Sequence, residues 1–182
     1  MQSETLSPVD ELGSGLIARP TLAERMDIVG TFHVQHIRDG EILFEEDFNN
    51  LVTTQGKNAM LDKFLDLGTA YAAIRLGLHT TVGNAAATYA SPSPQVESTV
   101  SSRVTPSFSA ASSGTKATSS AASFAITGTA TITGAFLAIG AAGISSAGDT
   151  AATAVLLSSG SFSSSRAVIN GDTLNVTWSL GL

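Results

Sequence analysis

Cysteine is absent from this chain of 182 residues, and charge is scarce: only 13% of residues are Asp, Glu, Lys or Arg. Without cysteine there is no disulfide and no thiolate metal site, and the redox compartment stays open. The charged share is about half the roughly one quarter usual for soluble domains. Between positions 104 and 165 the only charged residues are Lys116 and Asp149. Acid–base and nucleophilic catalysis need titratable groups within hydrogen-bond reach of a substrate, and a third of the chain offers almost none. The net charge of −6 and the lack of a basic patch argue against a nucleic-acid partner. The longest apolar stretches, such as residues 134–143, are too short and too rich in Gly and Ala to span a membrane. Residues 1–12 are polar and acidic, so no signal peptide is expected.

What is present is apolar content of 43%, together with abundant Ser and Thr. That balance is the opposite of a disordered chain. Two readings of the low charge stand side by side. Part of the surface is covered by other subunits, as in charge-depleted interface cores, or short hydroxyls keep it wet.

Residues 1–27 read as an extended N-terminal arm, with Pro8, Gly13, Gly15 and Pro20 interrupting any period. Thr21 and Glu24 have capping-box spacing for a single helical turn. Ordering such an arm alone costs too much entropy, so a neighbouring subunit is expected to hold it. Its candidate interface residues are Leu16, Ile17 and Leu22, which can dock in a groove, Arg19 and Arg25, which can pair with carboxylates, and Pro20, which fixes the entry angle.

The remainder, residues 28–182, is expected to be a single β domain. Asp39-Gly40 is a type I′ turn signal, so residues 28–48 form a hairpin with Arg38 opposite Glu41 as a cross-strand pair. Its apolar positions do not alternate cleanly. Residues 53–67 are the one helix candidate, placed near 54–67, capped by Thr53 or Thr54, with Met60, Leu61, Phe64 and Leu65 on one face and Gly68 at the end. A short buried strand over residues 71–78 precedes a long loop that runs to about Pro94. In the C-terminal half, Phe124, Ile126, Ala130, Ile132 and Phe136 share one parity and Thr127, Thr129, Thr131 and Thr133 the other, the period of a half-buried strand or tight pair. Gly128 and Gly134 are candidate bulges. Residues 154–157 and 166–169 read as two further strands. Asn170-Gly171-Asp172 turns the chain into a last hairpin strand, with Leu174, Val176, Trp178 and Leu180 on one face. The expected fold is mainly β: an antiparallel two-sheet sandwich, jelly-roll or immunoglobulin-like, with one short helix and the arm.

No catalytic, cofactor or metal site emerges. His33 and His36, three apart on a strand, point to opposite faces. Glu45, Glu46 and Asp47 alternate sides and read as a solvated strand edge, with a weak calcium site as the competing reading. There is no phosphate loop and no Gly-x-Ser-x-Gly elbow. Trp178 reads as a core anchor rather than a sugar platform.

Two blocks carry a resemblance. One is residues 18–25, followed by Arg38-Asp39-Gly40 and residues 50–58. The other is Gly134-Ala135-Phe136-Leu137 followed by residues 170–178. Their order resembles small virion structural proteins of tailed bacteriophages, among them head decoration (cement) and tail-associated proteins. The resemblance spans most of the chain from about Ala18 and implies a non-enzymatic virion component acting through its surfaces, so no family site residues carry over. The resemblance by itself does not separate head from tail; the leading expectation is a capsid decoration protein, a homotrimer made in the host cytoplasm and bound to the major capsid protein on the phage head. A partner that binds only the assembled lattice stabilises it by mass action. The competing reading is a tail or fibre component in tail assembly or host attachment, and a carbohydrate-active enzyme is disfavoured for want of paired carboxylates in a cleft.

Overall fold

A computed structural model describes residues 28–65, 71–81, 88–89, 97–140, 144 and 154–181. Eight strands and one helix follow one another: β1 (Val29–Arg38), β2 (Glu41–Val52), α1 (Thr54–Leu65), β3 (Ala73–His79), β4 (Thr115–Ala117), β5 (Ala122–Ala125), β6 (Ala130–Gly140), β7 (Val155–Val168) and β8 (Thr173–Gly181). Every ladder is antiparallel. The strands lie in the order β3-β6-β7-β2-β1-β8-β4, with β5 also on β8. The protein is therefore mainly antiparallel β with one short helix. Its sheet is curled: Leu76 and Leu78 of β3 share one core with Phe32 and Val34 of β1 and with Leu174, Val176 and Trp178 of β8, although β3 and β8 stand far apart in the strand order. Side chains that distant along a flat sheet would never touch.

The β1–β2 hairpin forms as its turn dictates. Asp39 and Gly40 both have positive φ, 52° and 83°, as a type I′ turn requires. Arg38 stands opposite Glu41 in the register. Alternation on β1 is clean, with Gly30, Phe32, Val34 and His36 buried. The irregularity lies on β2, where a bulge between the pairs His36–Phe44 and Ile37–Ile42 leaves Leu43 without a partner. The extra residue pushes Ile42 and Leu43 outward and explains the broken apolar pattern.

Helix α1 starts where Thr53 caps it: the Thr53 hydroxyl accepts the Gly56 N–H at 2.9 Å, satisfying a donor that has no partner within the first turn. The same hydroxyl donates to the Leu156 carbonyl, which ties the helix start to β7. The buried side of the helix is Ala59 with Met60 packed on the core, whereas Leu61 is exposed. Of the expected face of Met60, Leu61, Phe64 and Leu65, Met60 meets the core and Leu61 does not, and the side chains of Phe64 and Leu65 lie outside the described residues. Gly68, most of the loop after His79, and the whole arm lie outside the described residues.

Four sequence expectations change in the C-terminal half. Phe124 and Ile132 are buried in one core, but they belong to β5 and β6, which pair with β8 and with β3 and β7 respectively, and not with each other. Phe136 leaves that face. The register shifts between Ile132 and Gly134, so beyond it Ala135 and Leu137 face the main core while Phe136 and Ala138 pack on Ile144, Ala154 and Leu156 behind. Gly134 fits this crossing because a Cβ there would stand 2.0 Å from the Gly160 carbonyl oxygen. The two short strands expected at 154–157 and 166–169 are one, β7, whose Ser- and Gly-rich middle has low strand propensity but sets Ser158 and Ser159 opposite the bulky Leu137 and Phe136. Finally, β7 and β8 do not form a hairpin. The turn exists, with the Asp172 N–H on the Ile169 carbonyl at 3.1 Å and Gly171 at φ 95°. Both edges of β8 are already taken, by β1 on one side and by β4 and β5 on the other. The turn pairs instead with Ile126, whose N–H meets the Asp172 carbonyl and whose carbonyl meets the Gly171 N–H, each at 2.9 Å.

Candidate interaction surface

Polar side chains that look chemically capable divide into those spent inside the fold and those left facing out. Three clusters are spent inside. At the hairpin end, the Asp172 carboxylate receives Arg38 Nε at 2.7 Å, Arg38 Nη2 at 2.8 Å and the Ile169 N–H at 2.9 Å, with His36 Nε2 at 2.9 Å. The Arg38 bonds hold its pKa far below the ordinary carboxylate range against the opposing cost of burial, helped by the Ile169 N–H and His36. The expected Arg38–Glu41 pair keeps its register, but the guanidinium is committed to Asp172. This cluster seals the turn between β7 and β8 against β1.

In the second cluster His79 is fully buried. Its Nε2 donates to the Gly160 carbonyl at 2.9 Å, and its Nδ1 meets the Thr133 hydroxyl at 3.1 Å. Ser159 Oγ stands 3.4 Å from Nε2, a spacing that superficially suggests a nucleophile and base. With Nε2 carrying the proton for Gly160, it has no lone pair to accept one from Ser159. Burial lowers the His79 pKa, so the imidazole is neutral and ties β3, β6 and β7 together.

The third cluster centres on Arg103, which bonds both oxygens of Glu97, the Tyr89 hydroxyl and the Ile144 carbonyl at 3.1 Å. Its guanidinium also lies 5.0 Å from the centre of the Tyr89 ring and 5.8 Å from that of Phe136. It pins loop segments onto the rear face of β6. No sequence signal marked these clusters, since each joins residues from distant parts of the chain.

The outward-facing groups gather on the hairpin. Across its outer face His33 stands between two carboxylates, with Nδ1 2.8 Å from Asp47 Oδ1 and Nε2 3.1 Å from Glu45 Oε1, while Gln35 donates to Glu45 at 2.9 Å. His36, as its spacing from His33 required, points the other way into the core. Beside the His33–Asp47 pair lies a shallow depression of about 280 Å³ that also involves Thr31, Thr118, Thr177 and Ser179. Among the described residues no three His, Asp or Glu side chains are placed to hold a metal ion, and His33 faces its carboxylates with opposite ring atoms.

Glu46 points to the other side and is not a solvated edge residue. β2 pairs with β7 only at Leu51 and Val52. Nearer the hairpin tip the Glu46 carboxylate accepts the Ser163 N–H at 2.9 Å in place of a ladder bond, and the Arg166 guanidinium covers the Phe44 ring. At the tip Ile42 and Leu43 are 53% and 51% exposed. The ion pairs among the described residues leave Glu41, Glu45 and Asp47 without a lysine or arginine partner. The arm residues expected at an interface, Leu16, Ile17, Arg19, Pro20, Leu22 and Arg25, lie outside the described residues. No described helix is long and apolar enough to cross a membrane. Comparison of the chain with protein-family models, curated proteins and solved structures gives no match.

Proposed function

We propose that this chain is a non-enzymatic virion structural protein of a tailed phage, a decoration protein that binds the major capsid protein on the assembled head and stabilises it as a homo-oligomer. The observation that carries the reading is the division of polar groups. The buried Asp172, His79 and Arg103 are consumed in tying strands and loops together, while the β1–β2 hairpin carries exposed Ile42 and Leu43 at its tip beside Glu41, Glu45 and Asp47, carboxylates with no lysine or arginine partner among the described residues. That is the composition of a contact surface. The resemblance of residues 18–25, 38–40 and 50–58, and of residues 134–137 and 170–178, to phage virion proteins supplies the particle. We also read the curled sheet as a two-layer sandwich, with β2 passing from one layer to the other. Its support is that β2 pairs fully with β1 but only at its end with β7, and that the Trp178 indole N–H reaches Ser158 Oγ of β7 at 3.1 Å across the core.

The test is the number of copies of this chain in purified particles, with its release from the head followed as the particle is stressed. Copies in the hundreds, and heads that rupture earlier when stripped of it, are the expected result. A handful of copies per particle moves the protein to the tail, and none at all removes it from the virion.

A further inference from the structure

We propose that the exposed Asn170-Gly171 turn is a site of spontaneous covalent modification, deamidation through a succinimide. The closed corner of the fold suppresses the reaction, and its isoaspartate product keeps that corner from closing again. The proposal stands apart from the virion reading and concerns a motif that the fold otherwise uses only as a reversal.

The chemistry is intrinsic to the pair. Gly171 has no side chain to hinder approach, so its main-chain nitrogen can attack the side-chain carbonyl carbon of Asn170. The new N–Cγ bond forms, the side-chain nitrogen leaves as ammonia, and the Gly171 nitrogen gives up its proton to solvent. Water then opens the succinimide at either carbonyl. One opening leaves aspartate, and the other leaves isoaspartate, in which the main chain runs through Cβ and Cγ. Water is the only co-reactant. This is the only Asn-Gly pair in the chain. Both residues are exposed, and a Cβ placed on Gly171 would meet nothing within 4 Å.

Two features of the fold hold the reaction back. The first is the turn. The left-handed φ falls on Gly171, at 95°, and the Asp172 N–H closes on the Ile169 carbonyl at 3.1 Å. That is the pattern of a type II turn with Asn170 as its second residue. Ring closure needs the Gly171 nitrogen eclipsed with the Asn170 side chain, and the ψ of about +120° at that position rotates it away. The second is the nucleophile itself. The Gly171 N–H donates to the Ile126 carbonyl at 2.9 Å, so losing its proton also breaks a bond between the turn and the residue that follows β5. Attack therefore waits for the corner to open, and the native rate is at most the denatured rate multiplied by the open fraction.

Whether the corner closes afterwards depends on the product. Asp172 is the next residue, buried, with its carboxylate held by Arg38, His36 and the Ile169 N–H. Isoaspartate lengthens the main chain between Ile169 and Asp172 by one atom, which displaces that carboxylate and the paired bonds to Ile126. Aspartate keeps the chain length and adds charge only at an exposed position.

The experiment follows the full chain in mildly alkaline buffer, with and without guanidinium chloride, by mass spectrometry with fragmentation that separates isoaspartate from aspartate. Hydrogen exchange of the Gly171 amide on the same protein gives the open fraction. The native protein should convert Asn170 more slowly than the denatured chain, by no less than the factor by which Gly171 exchange is slowed. Chains converted in denaturant and returned to native buffer should then divide. Aspartate forms, like Asn170→Asp made directly, should recover the wild-type urea midpoint, whereas isoaspartate forms should unfold at lower urea. Asn170→Gln, carried through the same incubation, should keep its own midpoint, which ties the loss to this side chain. A native protein that converts Asn170 faster than its Gly171 open fraction allows would overturn the protection, and isoaspartate chains that refold to the wild-type midpoint would overturn the block on closure.

Discussion

Replacing His79 by glutamine probes the seal that joins β3, β6 and β7. In the wild-type protein the fully buried imidazole donates to the Gly160 carbonyl and contacts the Thr133 hydroxyl. Glutamine is neutral at every relevant pH and does not reproduce both contacts. Leaving a buried partner unsatisfied costs about 1–3 kcal/mol, and that is the expected loss at pH 7.5. Acidification then separates the two proteins. Burial holds the folded-state pKa of His79 below its ordinary value, while in the unfolded chain it titrates near 6.5. Below about pH 6.5 the unfolded wild-type chain therefore gains a proton that the folded protein refuses. Wild-type stability falls by at most about 1.4 kcal/mol per pH unit from this group alone, the limit for one proton. The variant lacks that slope, and the other titrating groups are shared and cancel in the difference. The wild-type advantage should thus be full at pH 7.5, narrow between pH 6.5 and 5.5, and reverse if it begins near the lower estimate. Urea unfolding followed by emission of the single tryptophan, Trp178, measures it, with an unchanged m value confirming the same transition. A stability difference that stays constant from pH 7.5 to 5.5 would refute the reasoning, because His79 would then accept its proton inside the fold.

Trp178→Ala should cost about 3–5 kcal/mol, since the indole is 4% exposed, packs edge-on to Phe108 and bonds Ser158; a wild-type emission maximum typical of tryptophan in water would contradict this placement. Thr53→Ala should cost about 1 kcal/mol through the lost cap, seen as faster amide exchange in the first turn of α1, and unaltered exchange there would rule the cap out. Asp172→Asn should flatten the acid limb of the stability curve. A carboxylate held below its ordinary pKa contributes stability that is complete above about pH 4 and is lost as pH falls further, so wild type and variant that lose stability in parallel below pH 4 would show that the Arg38 and His36 bonds exert no such hold.

The sequence alone determined what local chemistry controls. Asp39-Gly40 dictates a turn with two positive φ angles, and that turn sets the β1–β2 register. Thr53 supplies a cap, and strict alternation from Leu174 to Leu180 buries Leu174, Val176 and Trp178. These are effects between residues a few positions apart, and they survive in any tertiary setting. The tertiary structure decided everything that depends on which strand lies beside which. Asn170-Gly171-Asp172 fixed a reversal but not a hairpin, because occupancy of both edges of β8 excludes β7. Phe136 obeyed period two only as far as the shift at Gly134, which close approach to Gly160 imposes. The clusters around Asp172, His79 and Arg103, like the exposed tip at Ile42 and Leu43, had no sequence signature. Each arises when segments far apart in the chain are brought within hydrogen-bond distance, or when a bulge turns an apolar side chain away from the core it would otherwise enter.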